Sequence, residues 1–132
     1  DEMENFVRVY QKDGDLRLLT TQDIRRAKED RSRLAADSAG YIIYKLSGNA
    51  TGVKADYFVA DSGGTVSIAA GDSLGKFAPL TPGKQIFSFG KNDYGFFDAV
   101  RLNSADVPEG TKFIKFSLNK GAEISRIEIR TR

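Results

Sequence analysis

A chain of 132 residues, 40% of them hydrophobic, is long enough for one core without covalent staples. Twenty Lys and Arg against 18 Asp and Glu leave a net charge of +2, without the strong basic bias of a dedicated nucleic-acid binder, and no apolar run reaches the length of a membrane-spanning helix. The absence of Cys and His excludes a disulfide, a Ser-His-Asp triad, a Cys-His pair and a histidine metal site within this sequence.

Residues 5–10 and 16–20 alternate as strands, and Lys12, Asp13, Gly14 and Asp15 between them tolerate unusual backbone angles, which predicts a hairpin. Residues 20–40 break the pattern. Thr21 is placed to cap a short helix, yet apolar positions are too few for a broad buried face. The segment reads as a long loop with about two helical turns, pinned by Ile24, Ala27 and Leu34. Arg25, Arg26, Lys28, Arg31 and Arg33 concentrate cations in it.

From Gly40 onward strand patterns follow in quick succession: YIIYKLSG, VKADYFVAD, TVSIAAG, KFAPL, KQIFSFG, FDAVRLN, TKFIKFSL and ISRIEIRT. Gly63 and Gly64 suit a tight hairpin with positive φ, while Pro79, Pro82 and Gly83 mark a longer corner. In the penultimate run Ile114, Phe116 and Leu118 share one face and Phe113, Lys115 and Ser117 the other; in the last, Ile127 and Ile129 oppose Arg126, Glu128 and Arg130. Asn119, Lys120 and Gly121 join the two runs as a closing hairpin. The expected fold is all-β, an antiparallel sandwich with a long, partly helical N-terminal loop, forming one domain over residues 1–132 without internal repeats.

The order Asp30-Arg31-Ser32-Arg33-Leu34, YIIYKLSG, VKADYFVAD, SIAAGDSLGKFAPL, VPEGTKFIKFSL and GAEISRIEIRT resembles the jelly-roll carbohydrate-binding modules, galactose-binding-like β-sandwiches appended to bacterial polysaccharide-degrading enzymes. The likeness covers residues 30–132 and rests on strand order and turn phrasing. It implies a non-catalytic, secreted, monomeric module, cut from a larger polypeptide that carries the catalytic domain, with polysaccharide as partner and neither nucleic acid nor membrane. The start at Asp1 fits the same expectation. The resemblance also implies a structural calcium ion. Asp13 and Asp15 provide two carboxylates at one turn, and Glu4 with Glu128 would bring ligands from both chain ends. The chain departs from many such modules in having no Trp, the usual sugar-stacking platform.

Sugar contact requires an aromatic face for C–H groups and polar groups for hydroxyls. The segment GKNDYGFFD provides Lys91, Asn92 and Tyr94, with simple loop packing as the alternative for Tyr94. Arg25, Arg26, Arg31 and Arg33 match the planar carboxylates or sulfates of an acidic glycan; alternatively Arg25 pairs with Glu29 and Arg26 with Asp30, four residues apart. Lys45, Tyr57, Arg101, Lys115 and Arg126 are predicted on a wet sheet face, with Tyr57 as its aromatic. The carboxylates stand mostly at turns or beside Lys and Arg, an arrangement of solvated charge rather than of a glycosidase pair. The competing function is a structural spacer or protein-interaction sandwich with no sugar ligand.

Overall fold

Alternating apolar side chains require one buried face, and the chain meets that requirement with strands. A computed structural model describes residues 9–19, 33–59, 63–88 and 98–131, and among these every regular element is a strand. In chain order they are β1 (Val9–Leu19), β2 (Arg33–Lys45), β3 (Ala50–Val59), β4 (Val66–Ser73), β5 (Lys76–Pro79), β6 (Gly83–Ser88), β7 (Asp98–Ser104), β8 (Phe113–Asn119) and β9 (Ala122–Thr131). All ladders are antiparallel and join in one curled sheet of order β5-β4-β8-β2-β9-β3-β7-β6, with β1 added to β2. The expected all-β class and the strands read from residue 40 onward are therefore present.

β2 is the joint of this sheet. β1 runs along it from Val9 beside Tyr44 to Leu19 beside Arg33. On the opposite edge residues 39–45 pair with β8, and Leu34 pairs with Ile124 of β9. The inward side chains of both halves meet in one core: Ile42, Tyr44, Ile68 and Phe116 from one, Val53, Val100, Leu102 and Ile127 from the other. Tyr44 stands edge-on to Phe116, ring centroids 5.8 Å apart at 90°. Such pairs add about 0.5–1.5 kcal/mol beyond their burial.

The structure corrects four local expectations. Residues 12–15 form no hairpin: β1 passes straight through them with Gly14 at φ 101°, and at the register shift before Leu16 one β1 residue stands against three of β2, residues 37–39. Bulge and turn require the same permissive residues, so composition alone does not separate them. Residues 33–40 are strand rather than loop, because Leu34 and Ala36 face the core within β2. The helical part of that expectation falls on residues 20–32, outside the described residues. Residues 119–121 also close no hairpin, since β8 and β9 take successive stretches of the same β2 edge instead of pairing with each other. Finally, Gly64 lies between strands that are not neighbours, and its φ is not positive. It is glycine because a Cβ there would meet Gly121 O at 2.3 Å and Ala122 N at 2.7 Å.

β9 shows how the inner face survives an irregular register. Ile124 and Ile127, three residues apart, would fall on opposite faces of an unbroken strand, yet they are 0% and 1% exposed. The register slips between Asp56 opposite Arg126 and Tyr57 opposite Ile124, which leaves Ser125 as the extra residue. Its buried hydroxyl donates to Asp56 O at 3.2 Å, so the bulge hides no unsatisfied hydroxyl.

Two outcomes follow from this packing. Gly64→Ala drives a methyl group into backbone and is expected to lower stability by about 1–3 kcal/mol in urea denaturation. Gly75→Ala, with nothing within 4 Å of its Cβ, is expected to stay within about 0.5 kcal/mol of wild type. Burial raises the pKa of the Tyr44 phenol above its ordinary 10.0. A raised folded-state pKa means that Tyr44 contributes full stability below pH 10 and loses it as the pH climbs further, because only the unfolded chain ionises readily there. Tyr44→Phe should flatten part of that alkaline decline in thermal melts recorded from neutral to strongly alkaline pH.

Candidate functional site

The outward face of the β1-β2-β8-β4 region forms a grid whose rows follow the strand register. One row runs Asp13, Tyr41, Ser117, Ser67; the next runs Gln11, Ile43, Lys115, Ala69; a third runs Lys45, Phe113, Gly71. These residues oppose Ile42, Tyr44, Ile114 and Phe116, which are committed to the core. The face therefore has hydroxyls on one side, an aromatic and a lysine on the other, and half-buried Lys115 at its centre beside Ile43, which is itself buried at 3% exposure.

Lys115 Nζ lies 4.4 Å from the centroid of the Tyr41 ring and 5.4 Å from that of Phe77 on β5. Cation–π attraction holds the ammonium near two ring surfaces, at about 0.5–1 kcal/mol for an exposed pair. Gly71 makes this approach feasible: a Cβ at that position would meet Lys76 O at 2.3 Å, so glycine lets β5 fold closely against β4. Two aromatic surfaces, an ammonium and nearby hydroxyls are the groups that engage a sugar's C–H face, its anionic substituents and its hydroxyls.

Phe77 also borders an open cleft of about 380 Å³ between the β4–β5 turn and residues 108–111. Asp72, Lys76 and Glu109 are its charged lining residues. The wall is tied down. Lys112 N–H donates to Gly71 O at 2.9 Å, and the Thr111 hydroxyl donates to Pro108 O at 2.6 Å.

A second charged row crosses the far half of the sheet through Gln85, Arg101, Asp56 and Arg126. Arg101 grips Asp56 with two donors, Nε at 2.7 Å and Nη2 at 3.1 Å. This hydrogen-bonded carboxylate, with its charge, raises the guanidinium pKa further. The five residues expected on one wet face are thus divided. Lys45 and Lys115 lie on β2 and β8, Arg101 and Arg126 lie on β7 and β9, and Tyr57 points inward at 2% exposure. Tyr57 is corrected from the wet face to the core: burial raises its pKa, a backbone hydrogen bond from Val66 opposes that rise, and Asp98 reinforces it.

The other sequence-derived residues are placed as follows. Arg25, Arg26, Arg31, Lys91, Asn92, Tyr94 and Glu4 lie outside the described residues. Arg33 opens β2 opposite Leu19, and Asp15 lies at the register shift between Gly14 and Leu16. Asp13 Oδ1 accepts the Gly14 N–H at 2.8 Å, while Glu128 accepts from Arg130 Nε at 3.4 Å and faces Lys54 across the ladder. Among the described residues no three acidic side chains converge.

Sequence reasoning missed Tyr41 and Phe77. Tyr41, Ile42, Ile43 and Tyr44 are consecutive and bulky, which hides their alternation until β8 supplies the register. Phe77 sits in a four-residue strand too short to reveal its phase. No family model matches the chain, and no curated protein matches its sequence.

The Asp56–Arg101 clasp predicts a measurable but small effect. Both side chains are partly exposed, so Asp56→Asn is expected to cost less than about 1 kcal/mol. The difference should shrink in denaturation experiments at about 1 M salt, where screening is strong.

Proposed function

We propose that this protein is a non-catalytic carbohydrate-binding module that anchors a catalytic domain of the same polypeptide to extracellular polysaccharide. The observation that carries this reading is the Lys115 ammonium between the rings of Tyr41 and Phe77 on an outward sheet face. Rings without tryptophan still offer flat apolar surfaces, and the ammonium favours a glycan with anionic substituents. The finer architecture proposed with it is a β-sandwich of jelly-roll type. It is supported by the division of the β2 edge between β8 and β9, which lets two halves of the curled sheet enclose one core.

Affinity electrophoresis on gels containing polygalacturonate, alginate or neutral β-glucan tests the reading. Retardation is expected on an acidic gel, and Lys115→Ala should weaken it by about tenfold, the scale of one charge-assisted contact. Replacing both Arg31 and Arg33 by Ala on the same gels measures what the arginine-rich segment adds. Absence of retardation on every glycan would sink the proposal. It would instead favour the protein-interaction reading, which draws on Ile86 and Leu74, apolar side chains left 51% and 44% exposed.

A further inference from the structure

We infer that the cleft between the β4–β5 turn and residues 108–111 is a second sugar subsite, shaped for one uncharged pyranose ring. The inference rests on the carbohydrate reading and extends it from the sheet face to a distinct cavity. Its volume of about 380 Å³ lies at the lower end of the small-ligand range. Phe77 provides an apolar ring surface at its edge, while Asp72 and Glu109 offer carboxylate oxygens as acceptors for sugar hydroxyls.

Charge decides which sugar enters. Two carboxylates against the single Lys76 ammonium make this lining net anionic, so a uronate or sulfated unit is disfavoured there. Lys115, by contrast, presents positive charge on the adjoining face, and Phe77 is common to both places. The two positions together select a polymer in which a charged unit lies beside a neutral one.

The walls are set before any ligand arrives. The Lys112–Gly71 hydrogen bond ties the strand after the turn to β4, and Gly110 turns at φ 84°, a backbone state favouring glycine. Leu46 N–H donates to Lys112 O at 2.8 Å and extends the tie to the end of β2. Preorganisation of this kind lowers the ordering cost of binding.

The test is an amide NMR titration of the full chain with methyl β-D-galactopyranoside and methyl β-D-glucopyranoside, with sodium glucuronate as the charged comparator. Saturable shifts are expected at Gly71, Asp72, Phe77 and Gly110 with at least one neutral glycoside, and a response at least about tenfold weaker with glucuronate. Asp72→Asn combined with Glu109→Gln should weaken the neutral response by about tenfold, and Lys84→Ala, on β6 at the far end of the sheet from β5, should leave it unchanged. Asp72 and Glu109 are exposed, so their substitution tests the cleft without disturbing the core. No shift at those amides with either glycoside, or an equal response to glucuronate, overturns the subsite. If polysaccharide retardation persists in that case, the cleft inference alone fails; if retardation is also absent, the carbohydrate reading fails with it.

Discussion

The division of one strand edge between two partners is the constraint on which the rest depends. β2 offers residues 39–45 to β8 and Leu34 to β9, while β1 covers its opposite edge. Backbone donors and acceptors along a buried strand must find partners, and here two different strands satisfy them in succession. The sheet has to curl where the partner changes, and that curl brings the inner faces of both halves onto one core.

The same constraint separates the outward chemistry. Tyr41, Lys115 and Phe77 gather on the β2-β8-β5 side, whereas Arg101, Asp56 and Arg126 form their own row on β7, β3 and β9. In the first group the cation lies against aromatic carbon; in the second a carboxylate takes the guanidinium's donors directly. Residues of like charge thus meet unlike surroundings, and the difference comes from strand order rather than from composition.

Period-two alternation made much of the strand content legible. Ile114, Phe116 and Leu118 fall inward as their spacing implies, and the strand patterns from residue 40 onward correspond to folded strands. Partner choice was less legible. Asn119, Lys120 and Gly121 look like a hairpin loop between two alternating runs, yet the flanking strands pair with successive stretches of one β2 edge and not with each other. Bulges also reset phase without a distinctive residue pattern: Ser125 brings Ile124 inward, and Gly14 was indistinguishable from a turn residue. Tyr57 was misplaced because a tyrosine suits either face of a strand, and only its neighbours Val53, Ala55 and Val59 share the phase that puts it inside. For the site, Lys115 was readable from alternation, but Tyr41 and Phe77 come from distant segments that meet only through the sheet.

The position of β2 has a kinetic consequence. This central strand is made early, yet one of its edges stays open until the last two strands of the chain exist, since Leu34 waits for Ile124 about ninety residues later. Closure therefore depends on long-range encounters instead of zipping outward from a local hairpin, a topology associated with slow folding. During synthesis the nascent chain must carry an unfinished, apolar-faced sheet with an accessible strand edge until its C-terminal segment emerges. That interval is when association with other unfinished chains competes most directly with folding.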